Sequence, residues 1–168
     1  MPEIPDLQAI AGFLTAQLDG RTVQSTEARY PWLVRSVGGL DSLVGHRFTA
    51  VRRTGKFLRF EIDDGRVLVV NAMITGRFTW AERAERRRPG TCITLAFSGD
   101  HELRYSDARR MGRWYLVATD ALDSVPQFAE LGPGCAGGRR GDVHAAAREP
   151  SRPDQEHAHE PALHRRHR

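Results

Sequence analysis

The sequence predicts an α+β chain that is mainly β: an antiparallel β-sandwich with a long N-terminal helix and a short C-terminal helix, followed by a disordered tail. One early stretch carries apolar residues at helical spacing, and the runs after it are short, apolar or alternating, and closed by turn residues. No long helical segment separates those runs, as a parallel βαβ sheet would require. With 40% hydrophobic and 27% charged residues among 168, the chain can bury a core and has room for one domain plus a tail.

The first helix reads from Pro5 to about Leu18, because Leu7, Ile10, Ala11, Leu14 and Leu18 share one face and Gly20 follows as a stop. KFLRFEI (56 to 62), the turn Asp63-Asp64-Gly65 and RVLVVN (66 to 71) read as a hairpin. A second pair is TCITLAF (91 to 97), Ser98-Gly99-Asp100 and ELRY (102 to 105), followed by RWYLV (113 to 117). A short helix near Ala121 to Leu131 is expected to close the domain. Composition changes near Gly134, which sets the expected boundary between a domain at 1–134 and a tail at 135–168. The tail holds seven Arg and five of the seven His, and Val143 and Leu163 are its only sizeable aliphatics, so it cannot build a core. Its His spacing is too irregular for a metal site.

No run of about 18 apolar residues exists, and MPEIPDLQ lacks the basic start and apolar stretch of a signal peptide. Neither a membrane span nor a leader is expected, and the cytoplasm is the expected compartment. Two cysteines, Cys92 and Cys135, cannot complete a four-ligand zinc site and make a weak case for a disulfide, so no intrinsic metal is expected. The net charge of +4 is compatible with a polyanionic partner. Of 25 basic residues only Lys56 is lysine, which leaves 24 arginines.

Met1-Pro2-Glu3 carries chemistry. A small second residue permits removal of the initiator Met, which leaves Pro2 as a secondary amine that titrates near pH ~8 and is nucleophilic at neutral pH. Attack on a sugar C1′ gives an iminium that opens the way to strand cleavage by elimination, and Glu3 is near enough to serve as general acid or base. The same residues also read as an ordinary helix start, where acids suit the dipole.

With its order Pro2-Glu3-Ile4-Pro5-Asp6, then GRTV (20 to 23), RRTGKFLRFEIDDGRVLVVN (52 to 71), MITGRF (73 to 78), YSDARRMGR (105 to 113) and ELGP (130 to 133), the chain resembles the formamidopyrimidine-DNA glycosylase family over residues 1 to 133. The resemblance implies a bifunctional glycosylase and AP lyase of base-excision repair that removes oxidised purines from damaged double-stranded DNA. Pro2 would be the Schiff-base nucleophile, Glu3 its acid/base partner, and Lys56 the lysine that contacts the lesion strand and its phosphates. Arg109 would enter the duplex opposite the flipped base, a task suited to a planar donor fork. A monomer is expected.

The chain departs from the family at several of these positions. Asp6 stands where Glu is usual, as possible support for the catalytic pair. Ile74 replaces the usual Met and Met111 the usual Phe among the side chains that fill the void of a flipped base, and both remain apolar wedges. Asn71, which the resemblance places among the DNA-contacting side chains, takes a place where His is common, and Ala108 one where Pro is common. The family's helix-two-turn-helix and four-cysteine zinc finger are not found, so no cofactor is expected in this chain, and the loss of half the cleft should weaken DNA binding by several kcal/mol.

Out of frame, the tail reads differently. Back-translated with chosen synonymous codons and shifted by one base, Asp154 to Arg168 gives TKNMLTNQRFIAGIG, fifteen residues similar to the start of the family's helix-two-turn-helix. Gly134 to Gly137 likewise gives DAL, the family's usual sequel to ELGP. The expectation is one extra nucleotide near the Gly134 codon and a truncated, weak or inactive glycosylase. Two rival readings are a DNA-binding remnant without catalysis and a one-domain interaction protein with a basic tail.

Overall fold

The expected amphipathic face is the one that α1 (Ile4–Leu18) buries: Leu7, Ala11, Leu14 and Leu18 are inaccessible, and Ile10 packs beside them. Asp6 in the first turn suits the helix dipole. Gly20, at φ +69°, provides the left-handed stop, and the Arg21 N–H donates to Leu18 O at 3.1 Å. The computed structural model describes residues 4–36 and 38–131. Pro2, Glu3, Cys135, the boundary at Gly134 and the tail at 135–168 lie outside them.

Eight strands follow: β1 (Val23–Ala28), β2 (Phe48–Thr54), β3 (Phe57–Ile62), β4 (Arg66–Asn71), β5 (Gly76–Glu82), β6 (Thr91–Phe97), β7 (His101–Asp107) and β8 (Arg113–Ala118). They form two antiparallel four-stranded sheets, ordered β1-β6-β7-β5 and β2-β3-β4-β8. Phe60, Leu68, Val70 and Trp114 of one sheet share a core with Ile93, Leu95, Leu103 and Tyr105 of the other. Ring pairs cross between the sheets, Tyr105 with Trp114 at 5.3 Å and Phe48 with Phe97 at 5.9 Å. The expected antiparallel sandwich is therefore the observed fold.

Both hairpins foreseen from turn residues are present, and ELRY lengthens to the whole of β7. β1, β2 and β5 escaped the pattern, for physical reasons. In β1 only Val23 is buried, in β2 every third residue is, and in β5 only Gly76 and Ala81 are, so none shows strict alternation. The short helix expected near Ala121 to Leu131 is corrected to two 3₁₀ turns, Thr119–Ser124 and Ala129–Leu131. Pro126 has no N–H to donate, and Gln127 at φ +66° is left-handed, so an α-helical ladder cannot cross them. This segment covers the second face of its sheet, where Val67, Val69 and Phe57 pack with Val125. RVLVVN is apolar throughout because both faces of β4 are covered.

The exposed strand edges are managed. Thr15 Oγ1 on α1 accepts from the Val51 N–H at 3.0 Å along β2, and the Arg35 N–H donates to Trp114 O at 2.7 Å along β8. No helix among the described residues is long and apolar enough to cross a membrane.

The outer face of the first sheet carries a buried ion cluster. Arg104 Nε donates to Glu102 Oε1 at 2.6 Å, and Arg87 Nε donates to the same atom at 3.1 Å. Arg104 Nη2 also holds the following loop by donating to Glu82 O and Glu85 O, at 3.1 and 2.7 Å. Burial by itself would raise the Glu102 pKa, but the hydrogen bonds from Arg87 and Arg104 outweigh it and keep the carboxyl below its usual range. Glu102→Ala leaves Arg104 buried without a counter-charge and is expected to cost about 3–5 kcal/mol in urea unfolding, whereas Glu102→Leu combined with Arg104→Met should recover most of that loss.

Candidate nucleic-acid interface

Strand register brings Lys56, Ile74, Arg109 and Met111 to one end of a sheet. Phe57 pairs with Asn71, and Asn71 with Arg113. Three connections therefore leave that end together: the Gly55-Lys56 turn before β3, the 72–75 turn after β4, and the 108–112 loop before β8. They carry Lys56, Ile74, and Arg109 with Met111. Ile74 and Met111 are 45% and 37% exposed, which is unusual for large apolar side chains beside a full core, and Arg109 is exposed as well.

One carboxylate organises two of these connections. Asp107, at the end of β7, is 1% exposed. Its Oδ1 accepts from the Arg109 N–H at 3.1 Å and from the Thr75 hydroxyl of the neighbouring turn. Its Oδ2 accepts from the Met111 and Gly112 N–H groups, both at 2.8 Å. The Tyr105 hydroxyl lies 3.3 Å from Asp107 Oδ2 and equally far from Ala72 O, and shares its proton between them. A β-carbon on Gly112 would stand 2.0 Å from that hydroxyl, and one on Gly76 would stand 2.2 Å from Ala72 O, so both positions need glycine for space. Burial alone would raise the Asp107 pKa; the Thr75 hydroxyl and the three backbone N–H groups outweigh it and lower it. Burial and the adjacent carboxylate push the Tyr105 hydroxyl up, so it stays a donor.

Asn71 is placed otherwise than expected of a side chain that meets DNA. It is 8% exposed, and its Oδ1 accepts from the Met73 N–H at 3.2 Å, which shapes the turn that presents Ile74. Met73 takes φ +53° in that turn. Asp6 lines a cleft of about 410 Å³ with Leu7, Ile10, Ala72, Gly76 and Arg77, so the start of α1 and the base of the Ile74 turn face one space. The Lys56 turn is tied to α1 as well, since Arg53 Nε donates to Gln8 Oε1 at 3.4 Å and Arg53 Nη1 to Gly55 O at 3.0 Å.

A basic flank adjoins the 108–112 loop. Arg29, Arg86, Arg87 and Arg88 line a cleft of about 350 Å³ that also includes Thr91 and Cys92. The Asp107 N–H donates to Gly90 O at 3.2 Å, which joins that cleft to the loop, and the Arg110 guanidinium lies 4.2 Å from the Tyr30 ring centre. Among the described residues, Arg29, Arg86, Arg88, Arg109 and Arg110 make no salt bridge. Cys92 is buried, its thiol pushed up by desolvation, and its Sγ donates to Gly90 O at 3.2 Å. No group of three or more His, Cys, Asp or Glu among the described residues is placed to hold a metal, so nothing there fits the zinc of a four-cysteine finger.

Sequence reasoning missed Asp107, Thr75 and Tyr105 as the frame of the site. All three fall inside the YSDARRMGR and MITGRF motifs, but the one chemical signal there is an acid that ends a mixed polar and apolar strand just before a Gly-containing loop, which is common in turns. Asp107→Asn supplies an amide donor where the loop offers donors, and is expected to cost about 2–3 kcal/mol in urea unfolding. Because the folded pKa of Asp107 is depressed, its contribution is complete above the unfolded value of ~3.9 and is lost as pH falls through the folded one. The acid limb of a stability profile should accordingly be shallower in Asp107→Asn than in the wild type.

Comparison with known proteins gives the same outline. Residues 1–114 match the formamidopyrimidine-DNA glycosylase N-terminal domain. A formamidopyrimidine-DNA glycosylase of Geobacillus kaustophilus is 30% identical over 137 residues, covering 79% of this chain and 50% of that protein. One from Azorhizobium caulinodans is 34% identical over 149 residues, with the same coverage. The chain thus spans about half the length of the curated relatives it matches. Among solved structures, the Lactococcus lactis Fpg in complex with FAPY-dG DNA superposes with a TM-score of 0.69 at 30% identity, over 76% of this chain and 48% of that one. The same enzyme bound non-covalently to DNA with an AP site gives 0.67 at 29%, over 73% and 47%. Through this N-terminal domain the chain belongs to the formamidopyrimidine-DNA glycosylase family.

Proposed function

We propose that the chain works on damaged double-stranded DNA as a base-excision glycosylase with AP-lyase chemistry, acting on oxidised purines of the formamidopyrimidine and 8-oxoguanine type. The observation that carries this reading is the convergence of the Lys56 turn, the Ile74 turn and the Arg109–Met111 loop at one sheet end, beside the cleft at the start of α1. Pro2 stands two residues before Ile4 in the sequence. Its amine attacks C1′ of the lesion nucleotide, the glycosidic C–N bond breaks, and the base leaves with a proton from an acid such as Glu3; the amine then gives up its N–H proton, and the C1′–O4′ bond breaks with O4′ taking a proton, which opens the sugar ring to an iminium. The resulting iminium acidifies the C2′ hydrogen, and loss of that proton expels the 3′ phosphate.

The other residues serve extrusion and grip. Ile74 and Met111 are apolar wedges for the gap left by the flipped nucleotide, and Arg109 offers its donor fork to the orphaned base. Lys56 supplies a mobile point charge for a lesion-strand phosphate. Arg29, Arg86, Arg88 and Arg110 extend the positive surface along the backbone.

Borohydride trapping on a duplex with an abasic site tests the chemistry. A covalent adduct is expected, and Pro2→Gly should lower its yield at least about tenfold. An adduct that survives Pro2→Gly and vanishes in Lys56→Ala would move the nucleophile to the chain's single lysine. DNA binding without any adduct would leave a binding module and overturn the catalytic reading. Arg88→Ala should weaken binding to all sequences alike and flatten the slope of log K against log salt by about 0.9, as expected for one phosphate contact.

A further inference from the structure

We propose that Gln127 is a positioning residue for Lys56, and that the 119–131 segment acts as a strap holding the Gly55-Lys56 turn ready for a DNA phosphate. This rests on the reading of Lys56 as a phosphate contact. Lys56 Nζ donates to Gln127 Oε1, across 71 residues of sequence. The strap also packs on the turn and on the start of β3 through Leu131, Phe128 and Val125. A β-carbon on Gly55 would stand 2.8 Å from Leu131 Cδ2, so the Leu131 side chain is seated directly against that glycine. The Phe57 and Phe128 rings lie 5.5 Å apart, and the Arg59 guanidinium lies 5.9 Å from the Phe128 ring centre. Val125 is buried with Phe57 beneath them.

The backbone favours a dedicated role for Gln127. It holds φ +66°, a conformation that side chains other than Gly, Asn and Asp seldom adopt. Glycine would occupy it with less strain but would give Lys56 no acceptor. Asparagine would tolerate it and keep the amide, but is one methylene short. The lysine stem is flexible and costs rotamer entropy to order, so a neutral acceptor that preselects its direction lowers that cost without cancelling its charge. A carboxylate at the same place would compete with the phosphate.

The experiment uses the full chain and exploits its single lysine: the rate of acylation of Lys56 by an amine-reactive ester, read by mass spectrometry apart from the N-terminal peptide, with and without a duplex carrying a tetrahydrofuran abasic-site analogue. Gln127→Gly and Gln127→Asn should each speed labelling about fivefold, the order expected for losing one hydrogen bond from a charged donor at an exposed site. Gln127→Glu should slow it. Thermal unfolding of all three should stay close to wild type, since each removed contact is a surface one. DNA should protect Lys56 in the wild type, and about fivefold more DNA should be needed for equal protection in the Gly and Asn variants. Equal labelling rates in all four proteins would overturn the contact. Labelling that follows Gln127 as expected, with no protection by DNA in the wild type, would leave the contact standing and overturn the phosphate role of Lys56. Protection that needs the same DNA concentration in every variant would overturn the positioning role of Gln127 alone.

Discussion

The candidate site depends on one buried carboxylate. Asp107 gathers three backbone N–H groups of its own loop and a hydroxyl from the neighbouring turn, and so fixes the two exposed connections that carry Ile74, Arg109 and Met111 relative to each other. On the proposed reading, a loop that enters a base stack cannot be held by its own apolar side chains, because Ile74 and Met111 are exposed. Hydrogen bonds to a desolvated anion hold the backbone from beneath and leave the wedges free. The need for glycine at 76 and 112 follows from the same arrangement, since the Tyr105 hydroxyl fills the space their side chains would take.

A second buried acid works differently. Glu102, on the same strand as Asp107, is neutralised by Arg104 and Arg87 on the outer face of that sheet, and Arg104 gives its remaining donors to carbonyls of the 82–86 segment. That cluster fixes the loop leading to the Arg86–Arg88 flank. The two acids divide the work, one setting the wedge loops and the other the edge of the basic surface.

Charge in this chain is carried almost wholly by arginine. Guanidinium stays protonated and binds phosphate or a base edge through a fixed fork, which suits gripping. On the proposed reading, an ammonium on a flexible stem suits a charge that follows a phosphate; the chain's one lysine stands at a turn fastened to the 119–131 segment on one side and to α1 through Arg53 and Gln8 on the other.

The helix, both hairpins, the sandwich class and the identity of most residues gathered at one sheet end were legible in the chain's own order of residues. Those features are local: a 3.6-residue period in Leu7 to Leu18, turn residues at 63–65 and 98–100, and motifs read along the chain. That order did not reveal β1, β2 or β5, whose burial is one-sided or irregular because neighbouring strands and α1 decide which residues are covered. Nor did it separate Asn71, which lies under the Ile74 turn, from the side chains that project, or show that Pro126 and Gln127 would break the closing helix into a strap. These points were settled by contacts between distant parts of the chain. Asp107 meets Thr75 and Gln127 meets Lys56 through pairings 32 and 71 residues apart, and no local pattern encodes a partner that distant.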